Sequence, residues 1–236
     1  MVSEQRLLGG TIDRVSVNNG SLAIEPTADG SITFRSERFG EAFHSRQGAW
    51  QEAQSKFVEP THLRPIATDR PIVRVLDVCY GLGYNTAAAL TTIWAANPHC
   101  AIEWVGLELD PVPAQAALDY LLAAMRSAGQ ALALDRSTIT AIEGILTALA
   151  TTGVARSPAN GAVTGQFTGH LHWGDARQTL PPIVAAGFRA DAIFLDPFSP
   201  HRCPQLWTAE FLGLLGRCLA PTGRVATYSK IGRAHV

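Results

Sequence analysis

The chain has 236 residues, of which 47% are hydrophobic and 17% are charged, and this fits one sizeable globular domain with a small addition. Its 19 lysines and arginines nearly balance its 20 aspartates and glutamates. The molecule as a whole therefore has no basic excess that would hold a polyanion by bulk attraction. Any contact with nucleic acid must come from a local patch.

The four cysteines are widely spaced and form no Cys-x-x-Cys pair, which argues against a zinc site or a disulfide framework. The first residues lack the apolar run of a signal peptide, and no apolar stretch elsewhere is long enough to cross a membrane. We therefore expect a cytoplasmic protein.

The first part of the chain is rich in short alternating segments and turn residues, and we predict a β-rich N-terminal extension over residues 1–70. Asp29-Gly30 separates Leu22–Ile24 from Ile32–Phe34, and this pattern is typical of a β-hairpin.

From Val73 onward, apolar runs of strand length alternate with alanine-rich stretches of helical length, which predicts a parallel sheet covered by helices over residues 71–230. The predicted strands are Val73–Cys79, Ile102–Leu109, Leu171–Trp173, Ala190–Leu195 and Arg224–Ser229. The predicted helices are Asn85–Ala96, Val112–Ser127, Ser137–Thr151, Ala176–Ala186 and Pro204–Leu219. The Gly-, Ser- and Thr-rich stretch Thr152–Gly169 is predicted to be a loop.

The last six residues, Ile231–Val236, match the translation of a common sequencing adaptor. We therefore expect a non-native tail over residues 231–236 and a truncated C-terminus, which would leave the fifth strand as an exposed sheet edge. A genuine short tail is the alternative.

The first predicted strand leads into Asp77-Val-Cys-Tyr-Gly81-Leu-Gly83-Tyr-Asn85, at the head of a helix. Glycines let the backbone approach a ligand closely, and the helix N-terminus has free N–H groups. Many tight strand-to-helix turns share this Gly-x-Gly pattern without binding a ligand, so support has to come from the other turns.

Further carboxylates follow the second and third predicted strands. Glu108 and Asp110 stand where a carboxylate can accept both ribose hydroxyls of a nucleoside, and Asp175 follows Gly174 at the end of the third strand. The three turns are expected to converge on one crevice. A dinucleotide site usually has a third glycine, but here Thr86 takes its place, and Asp77 would repel a pyrophosphate. S-adenosylmethionine, with its ammonium and sulfonium, is favoured over NAD or FAD and over a site without a cofactor.

The fourth predicted strand delivers Asp196 to the same crevice, and the loop continues Pro197-Phe198-Ser199-Pro200. Two prolines stiffen this loop. An aspartate that caps the loop beside the helix near Pro204 is the structural alternative.

Taken together, these motifs resemble the methyltransferase domain of the tRNA 5-methylaminomethyl-2-thiouridine biosynthesis family, in its standalone form. The family pattern falls on Gly81, Gly83, Asn85, Glu108, Gly174, Asp175, Asp196, Phe198, Pro200, Pro204 and Trp207, and the segment Ser36–Ser45 resembles the family's N-terminal segment. Pro197 departs from the family, which usually has glycine there, and Asp77 stands where glutamate is frequent.

The resemblance implies a class I S-adenosylmethionine-dependent methyltransferase with a Rossmann-like doubly wound α/β sheet. Its substrate would be the 5-aminomethyl group of (2-thio)uridine at the tRNA wobble position. No FAD-binding domain is recognisable, so a separate FAD-dependent oxidoreductase would act in the same pathway. No metal and no membrane partner are implied. The expected roles are Asp196 as catalytic carboxylate, Phe198 and Pro200 as substrate pocket, and Asp77, Gly81, Gly83, Asn85, Glu108 and Asp175 as cofactor-binding residues.

Two other functions remain open from the sequence. A methyltransferase that acts on a small-molecule or protein amine would suit the balanced charge and Pro197 equally well. A non-catalytic nucleoside-binding protein would bind the cofactor but tolerate the loss of Asp196.

Overall fold

The computed structural model describes residues 14–17, 20–157 and 165–228. The expected tail over residues 231–236 and the end of the fifth predicted strand lie outside the described residues.

The N-terminal part forms a four-stranded antiparallel sheet. Its strands are β1 (Arg14–Val17), β2 (Gly20–Pro26), β3 (Ile32–Ser36) and β4 (Glu41–Ala42), and they lie side by side in chain order. The predicted Asp29-Gly30 hairpin is confirmed. Gly30 adopts φ 83°, a conformation that glycine reaches without steric cost, and the Asp29 carboxylate accepts the Ser31 N–H at 2.9 Å.

The second half of the predicted extension is helical. It contains α1 (Ala49–Glu52), a turn of π-helix over Ala53–Val58 that continues α1, and α2 (Leu63–Asp69). Phe57 and Leu63 are completely buried and belong to the same apolar core as Phe34 of β3. The helices therefore pack the small sheet onto the rest of the protein.

The larger sheet has six strands, which are β5 (Ile72–Val78), β6 (Ala101–Glu108), β7 (Val154–Arg156), β8 (Phe167–Trp173), β9 (Ala190–Leu195) and β10 (Leu219–Ala226). Their order is β10-β9-β5-β6-β8-β7, and all neighbours are parallel except β7 and β8. The chain moves outward from β5 in both directions, so the crevice at the carboxyl end of β5 is a topological switch point, where open α/β sheets bind ligands.

Five helices connect these strands, and they are α3 (Tyr84–Ala96), α4 (Pro111–Ala131), α5 (Arg136–Thr152), α6 (Ala176–Ala185) and α7 (Ala209–Gly216). The predicted parallel sheet with covering helices is confirmed. In α3, every residue from Tyr84 to Trp94 is buried, because its alanines and threonines let α2, the π-helix and α4 approach closely. This buried helix fixes the position of the turn that precedes it.

Three local predictions were wrong. Pro204–Leu219 is not one helix, because it contains a 3₁₀ turn over Pro204–Leu206, then α7, and Leu219 already belongs to β10. Thr152–Gly169 is not one loop, because it contains β7 and the first residues of β8. A three-residue edge strand with Val154 exposed carries no apolar alternation that a sequence pattern could register. Strand β10 begins at Leu219, five residues before the predicted Arg224, with an irregular register between these two residues.

Candidate functional site

A cavity of about 500 Å³ lies at the carboxyl ends of β5, β6, β8 and β9, and the N-terminal sheet forms its opposite wall. The turns after these four strands all contribute lining residues, so the predicted convergence on one crevice is confirmed. The cavity is lined by Cys79–Gly81, Leu107–Asp110, Gly174–Ala176 and Asp196–Ser199 on the sheet side, and by Arg35, Ser36, Arg38, Phe39, Glu41–Ser45 and Glu52 on the N-terminal side.

Glu108 connects the turns after β5 and β6. Its Oε2 accepts the Gly81 N–H at 2.8 Å, and its Oε1 accepts the Asp110 N–H at 3.0 Å. Burial is the largest influence on this carboxyl and raises its pKa above the ordinary value, whereas the backbone donors oppose that rise. A carboxylate oxygen has room for more than one donor, so the same group can also accept ribose hydroxyls from a ligand in the cavity.

Asp110 and Asp175 cap the helices that leave the cavity floor. Asp110 Oδ1 accepts the Val112 N–H at 2.9 Å, and Asp175 Oδ1 accepts the Arg177 N–H at 2.9 Å. Asp175 also pairs with the Arg177 guanidinium at 2.6 Å, and this bond holds the pKa of Asp175 below its usual range. Both aspartates line the cavity, but part of each carboxylate is already used by its own helix.

The two glycines of the first turn have different surroundings. Gly81 lines the cavity and adopts φ 58°. Gly83 does not line it, and a Cβ there would lie 2.5 Å from the Tyr80 hydroxyl and 2.9 Å from Leu121. Its φ of 89° also disfavours any side chain. Gly83 therefore serves the close approach of the turn to α4 rather than direct contact with a ligand in the cavity.

Asp77 lies behind the first turn, not in the cavity lining. Its side chain is completely buried, and Thr86 Oγ1 donates to its Oδ2 at 2.6 Å. Its Oδ1 has no hydrogen-bond partner within the described part of the chain. Burial, followed by the charge of Glu108, raises the pKa of Asp77 to about 7. The carboxyl is held inside the protein, next to the ligand-binding turn.

Asn85 is also absent from the cavity lining. It is the second residue of α3 and is 2% exposed, and its Nδ2 donates to Asp196 Oδ2 at 2.8 Å. The side chain therefore contacts the predicted catalytic carboxylate across the crevice between β5 and β9.

Asp196 follows β9 directly and lines the cavity, as predicted. Burial raises the pKa of this carboxyl well above its ordinary value. The hydrogen bond from Asn85 counteracts this rise, and the negative charges of Glu52 and Asp77 add to it. A half-buried carboxylate with a raised pKa accepts protons more readily than an exposed one.

Phe198 and Pro200 were both expected in the substrate pocket, but only Phe198 lines the cavity. Its ring stacks on Phe39 with centroids 4.4 Å apart and meets the edge of Phe43 at 5.1 Å. Trp207 Nε1 donates to the Phe198 carbonyl at 3.0 Å and fixes the loop from behind. Pro200 is exposed and, among the described residues, does not belong to the cavity lining.

The sequence patterns missed the carboxylates on the N-terminal wall. Glu41 Oε2 accepts the Ser199 N–H at 3.0 Å, and its Oε1 accepts the Ser199 hydroxyl. Glu52 Oε2 accepts the Ser45 N–H at 2.7 Å. Tyr228, which follows β10 and contacts the ring of Trp207, also lines the cavity. The only signal for this wall was the resemblance over Ser36–Ser45, which assigned no role to Glu41.

The cavity suits the expected S-adenosylmethionine in size and chemistry. Its volume of about 500 Å³ falls within the range of roughly 300–1,000 Å³ that small-molecule sites occupy. Leu109, which is 46% exposed, offers apolar surface beside Glu108. An adenine ring and a ribose need this combination of apolar surface and carboxylate. Glu108, Asp110, Asp175 and the Gly81 backbone are the groups that can hold the cofactor.

No group of three or more metal-ligating side chains is found in the described ranges. His170 and His172 contact each other at 3.0 Å on the outer side of β8, where His170 is exposed. The helices of the described residues include none that is long and apolar enough to cross a membrane.

The chain is similar to known proteins over most of its length. A model of a family described as S-adenosyl-L-methionine-dependent methyltransferase matches residues 151–233. The solved structure of MNMC2 from Aquifex aeolicus superposes with a TM-score of 0.68 at 30% identity, covering 90% of this chain and 61% of that one. The C-terminal third of the chain thus matches the S-adenosyl-L-methionine-dependent methyltransferase family, and nearly all of it is similar in fold to MNMC2. The predicted class I methyltransferase fold and the predicted cofactor are confirmed.

Curated relatives support the more specific resemblance stated from the sequence. The tRNA 5-methylaminomethyl-2-thiouridine biosynthesis bifunctional protein MnmC of Paracidovorax citrulli is 32% identical over 197 residues, which cover 83% of this chain and 28% of that protein. The protein of the same name from Acidovorax sp. is 32% identical over 201 residues, which cover 82% of this chain and 28% of that protein. This chain thus spans less than a third of the length of these relatives, and the similarity to this family that its motifs predicted is confirmed.

Proposed function

We propose that this methyltransferase transfers a methyl group to the primary amine of 5-aminomethyl-(2-thio)uridine at the tRNA wobble position. The observation that carries the proposal is the place of Asp196, which reaches the same cavity as Glu108 and Gly81 and stands beside the aromatic ring of Phe198. A proton acceptor, a nucleoside-binding carboxylate and a stacking ring thus share one cavity. The names of the relatives point to the same substrate.

When bound, S-adenosylmethionine supplies an electrophilic methyl group on a positively charged sulfur. Glu108 would accept the ribose hydroxyls, since its carboxylate is already fixed by Gly81 and Asp110. Asp110 and Asp175 would line the rest of the ribose and adenine end. Fixing the reacting groups in advance lowers the entropic part of the barrier.

Asp196 would orient the substrate amine and accept its proton. When this nitrogen receives the methyl group, one of its protons would have to leave, and Asp196 is the group placed to take it. A carboxylate whose pKa is raised by burial is a suitable acceptor, because its proton affinity lies closer to the working pH. Pro197, which replaces the glycine expected after this aspartate, also lines the cavity and removes one backbone N–H from it.

Phe198, Phe39 and Phe43 form an aromatic wall that suits a base flipped out of a tRNA loop. Proteins read single-stranded RNA loops mainly by stacking bases on aromatic side chains and by hydrogen bonds to their edges. Two of these rings come from the N-terminal part and one from the β9 loop. The predicted extension over residues 1–70 would therefore be part of the substrate site of the methyltransferase domain over residues 71–230.

The remaining expectations complete the proposal. The protein would act in the cytoplasm on tRNA, with a separate FAD-dependent oxidoreductase in the same pathway.

The direct test is methyl transfer from radiolabelled S-adenosylmethionine to tRNA that carries 5-aminomethyl-2-thiouridine. Asp196→Asn should lower the rate by about 100-fold or more, the scale of a positioned proton acceptor, and leave cofactor affinity unchanged. Asp119→Asn, on the exposed face of α4, is the matched control and should retain full activity. Label that appears only in protein or small molecules and resists RNase would show that the substrate is a different amine.

A further inference from the structure

Asn85 is fixed in place by the packing of α3. The helix is buried over its first three turns, so the side chain at its second position has little freedom. Its Nδ2 donates to Asp196 Oδ2 at 2.8 Å. Its Oδ1 is buried and finds no hydrogen-bond partner among residues 14–17, 20–157 and 165–228.

This hydrogen bond joins two functional segments of the site. Asn85 lies two residues after Gly83, at the end of the glycine turn that brings Gly81 into the cavity. Asp196 opens the loop after β9, and β9 is the sheet neighbour of β5. The bond therefore spans the topological switch point and ties the cofactor turn to the carboxylate of the reaction.

We propose that Asn85 is a positioning residue for Asp196, and that its amide holds one carboxylate oxygen so that the other faces the substrate amine. This inference rests on the proposed function. It replaces the cofactor-binding role that the resemblance implied for Asn85, because the side chain contacts Asp196 and does not line the cavity. Only Asp196 touches the reacting atoms in this account.

The hydrogen bond from Asn85 also affects the pKa of Asp196, because negative charges surround this carboxylate. Glu52 from α1 and Asp77 from β5 both raise the pKa of Asp196, in addition to its burial. Tyr228 and Cys79 line the same cavity; burial raises the pKa of each of them, and the charge of Asp196 adds to that rise. The hydrogen bond from Asn85 is the influence that lowers the pKa of Asp196. Its removal should therefore raise that pKa further.

The test is the pH profile of methyl transfer by Asn85→Ala. The acidic limb, where Asp196 becomes protonated, should move to higher pH by about one unit, the scale of one lost hydrogen bond to a carboxylate. At pH values below the acidic limb, kcat of the variant should be about tenfold lower than that of wild type. The Kd for S-adenosylmethionine, measured by calorimetry, should not change. If Asn85→Ala fails to fold, Asn85→Leu keeps a similar side-chain volume and removes the donor without adding a charge, and it should shift the limb in the same direction.

Asn97→Ala is the matched control, because Asn97 stands at the other end of α3 and donates to the Ala67 carbonyl at 3.0 Å. A loss of helix stability alone would affect both variants, but only Asn85→Ala should shift the pH profile. An unshifted profile with weakened cofactor binding would overturn the inference and make Asn85 a cofactor ligand. Normal turnover by Asp196→Asn would instead overturn the proposed function, so the two failures are distinguishable.

Discussion

The buried Asp77 should make the stability of this protein depend on pH in a direction opposite to that of most carboxylates. Its side chain is completely buried, and only one of its oxygens has a hydrogen-bond partner within the described residues. Burial raises its pKa from 3.8 to about 7. At about 1.36 kcal/mol per pKa unit, this difference corresponds to about 4 kcal/mol.

The sign follows from the state that folding favours. The folded protein prefers the protonated carboxyl, so this contribution to stability is fully present below pH 3.8 and is lost as the pH rises through about 7. Asp77→Asn keeps an acceptor for the Thr86 hydroxyl but cannot ionise. Between pH 5 and pH 8, the free energy of unfolding of wild type should therefore fall by about 3 kcal/mol relative to that of the variant.

The assay is urea denaturation of the cofactor-free protein, followed by tryptophan fluorescence, at several pH values from 5 to 8. His44 is also buried, and its pKa is lowered to about 4, but both proteins contain it and its contribution cancels in the difference. The Asp77→Asn substitution can itself lower the free energy of unfolding, because it buries an amide, but this effect does not depend on pH. A difference between the two proteins that stays constant from pH 5 to pH 8 would refute the reasoning.

Three further predictions concern the site. Glu108→Ala should weaken S-adenosylmethionine binding roughly tenfold or more, because charge-assisted hydrogen bonds are worth about 1.5–3 kcal/mol; unchanged calorimetric affinity would exclude Glu108 from the site. Gly83→Ala should lower the free energy of unfolding by about 1–3 kcal/mol through overpacking against Tyr80, and equal urea midpoints would contradict this. Glu41→Gln should reduce kcat but not cofactor affinity, since it weakens the hold on Ser199; wild-type kcat would argue against that role.

The sequence was most informative about elements whose pattern is set by burial. Strand β9 was predicted with both ends correct because all six of its residues are buried. All of them except Asp191 are apolar, which is typical of a central parallel strand. Strand β7 was missed because it is short, lies at the sheet edge and, among the described strands, pairs with β8 alone. The helices at Ala49–Asp69 were missed because turn-rich surroundings concealed their periodicity.

The same contrast holds for the site. Parallel strands end at one edge of the sheet, so the sequence order placed Glu108, Asp175 and Asp196 around one cavity correctly. It could not show that the side chain of Asp77 turns inward to Thr86. The contact between Glu41 and Ser199 joins residues 158 positions apart, and only the packing of the N-terminal sheet against the β9 loop creates it.

The central claim is most directly tested by mass spectrometry of tRNA nucleosides from cells with and without the intact gene. We expect the deletion to abolish the 5-methylaminomethyl form of the wobble (2-thio)uridine and to accumulate its 5-aminomethyl precursor. Restoring the wild-type gene should reverse both changes, whereas the Asp196→Asn gene should not. A nucleoside profile that is identical in the two strains would contradict the account.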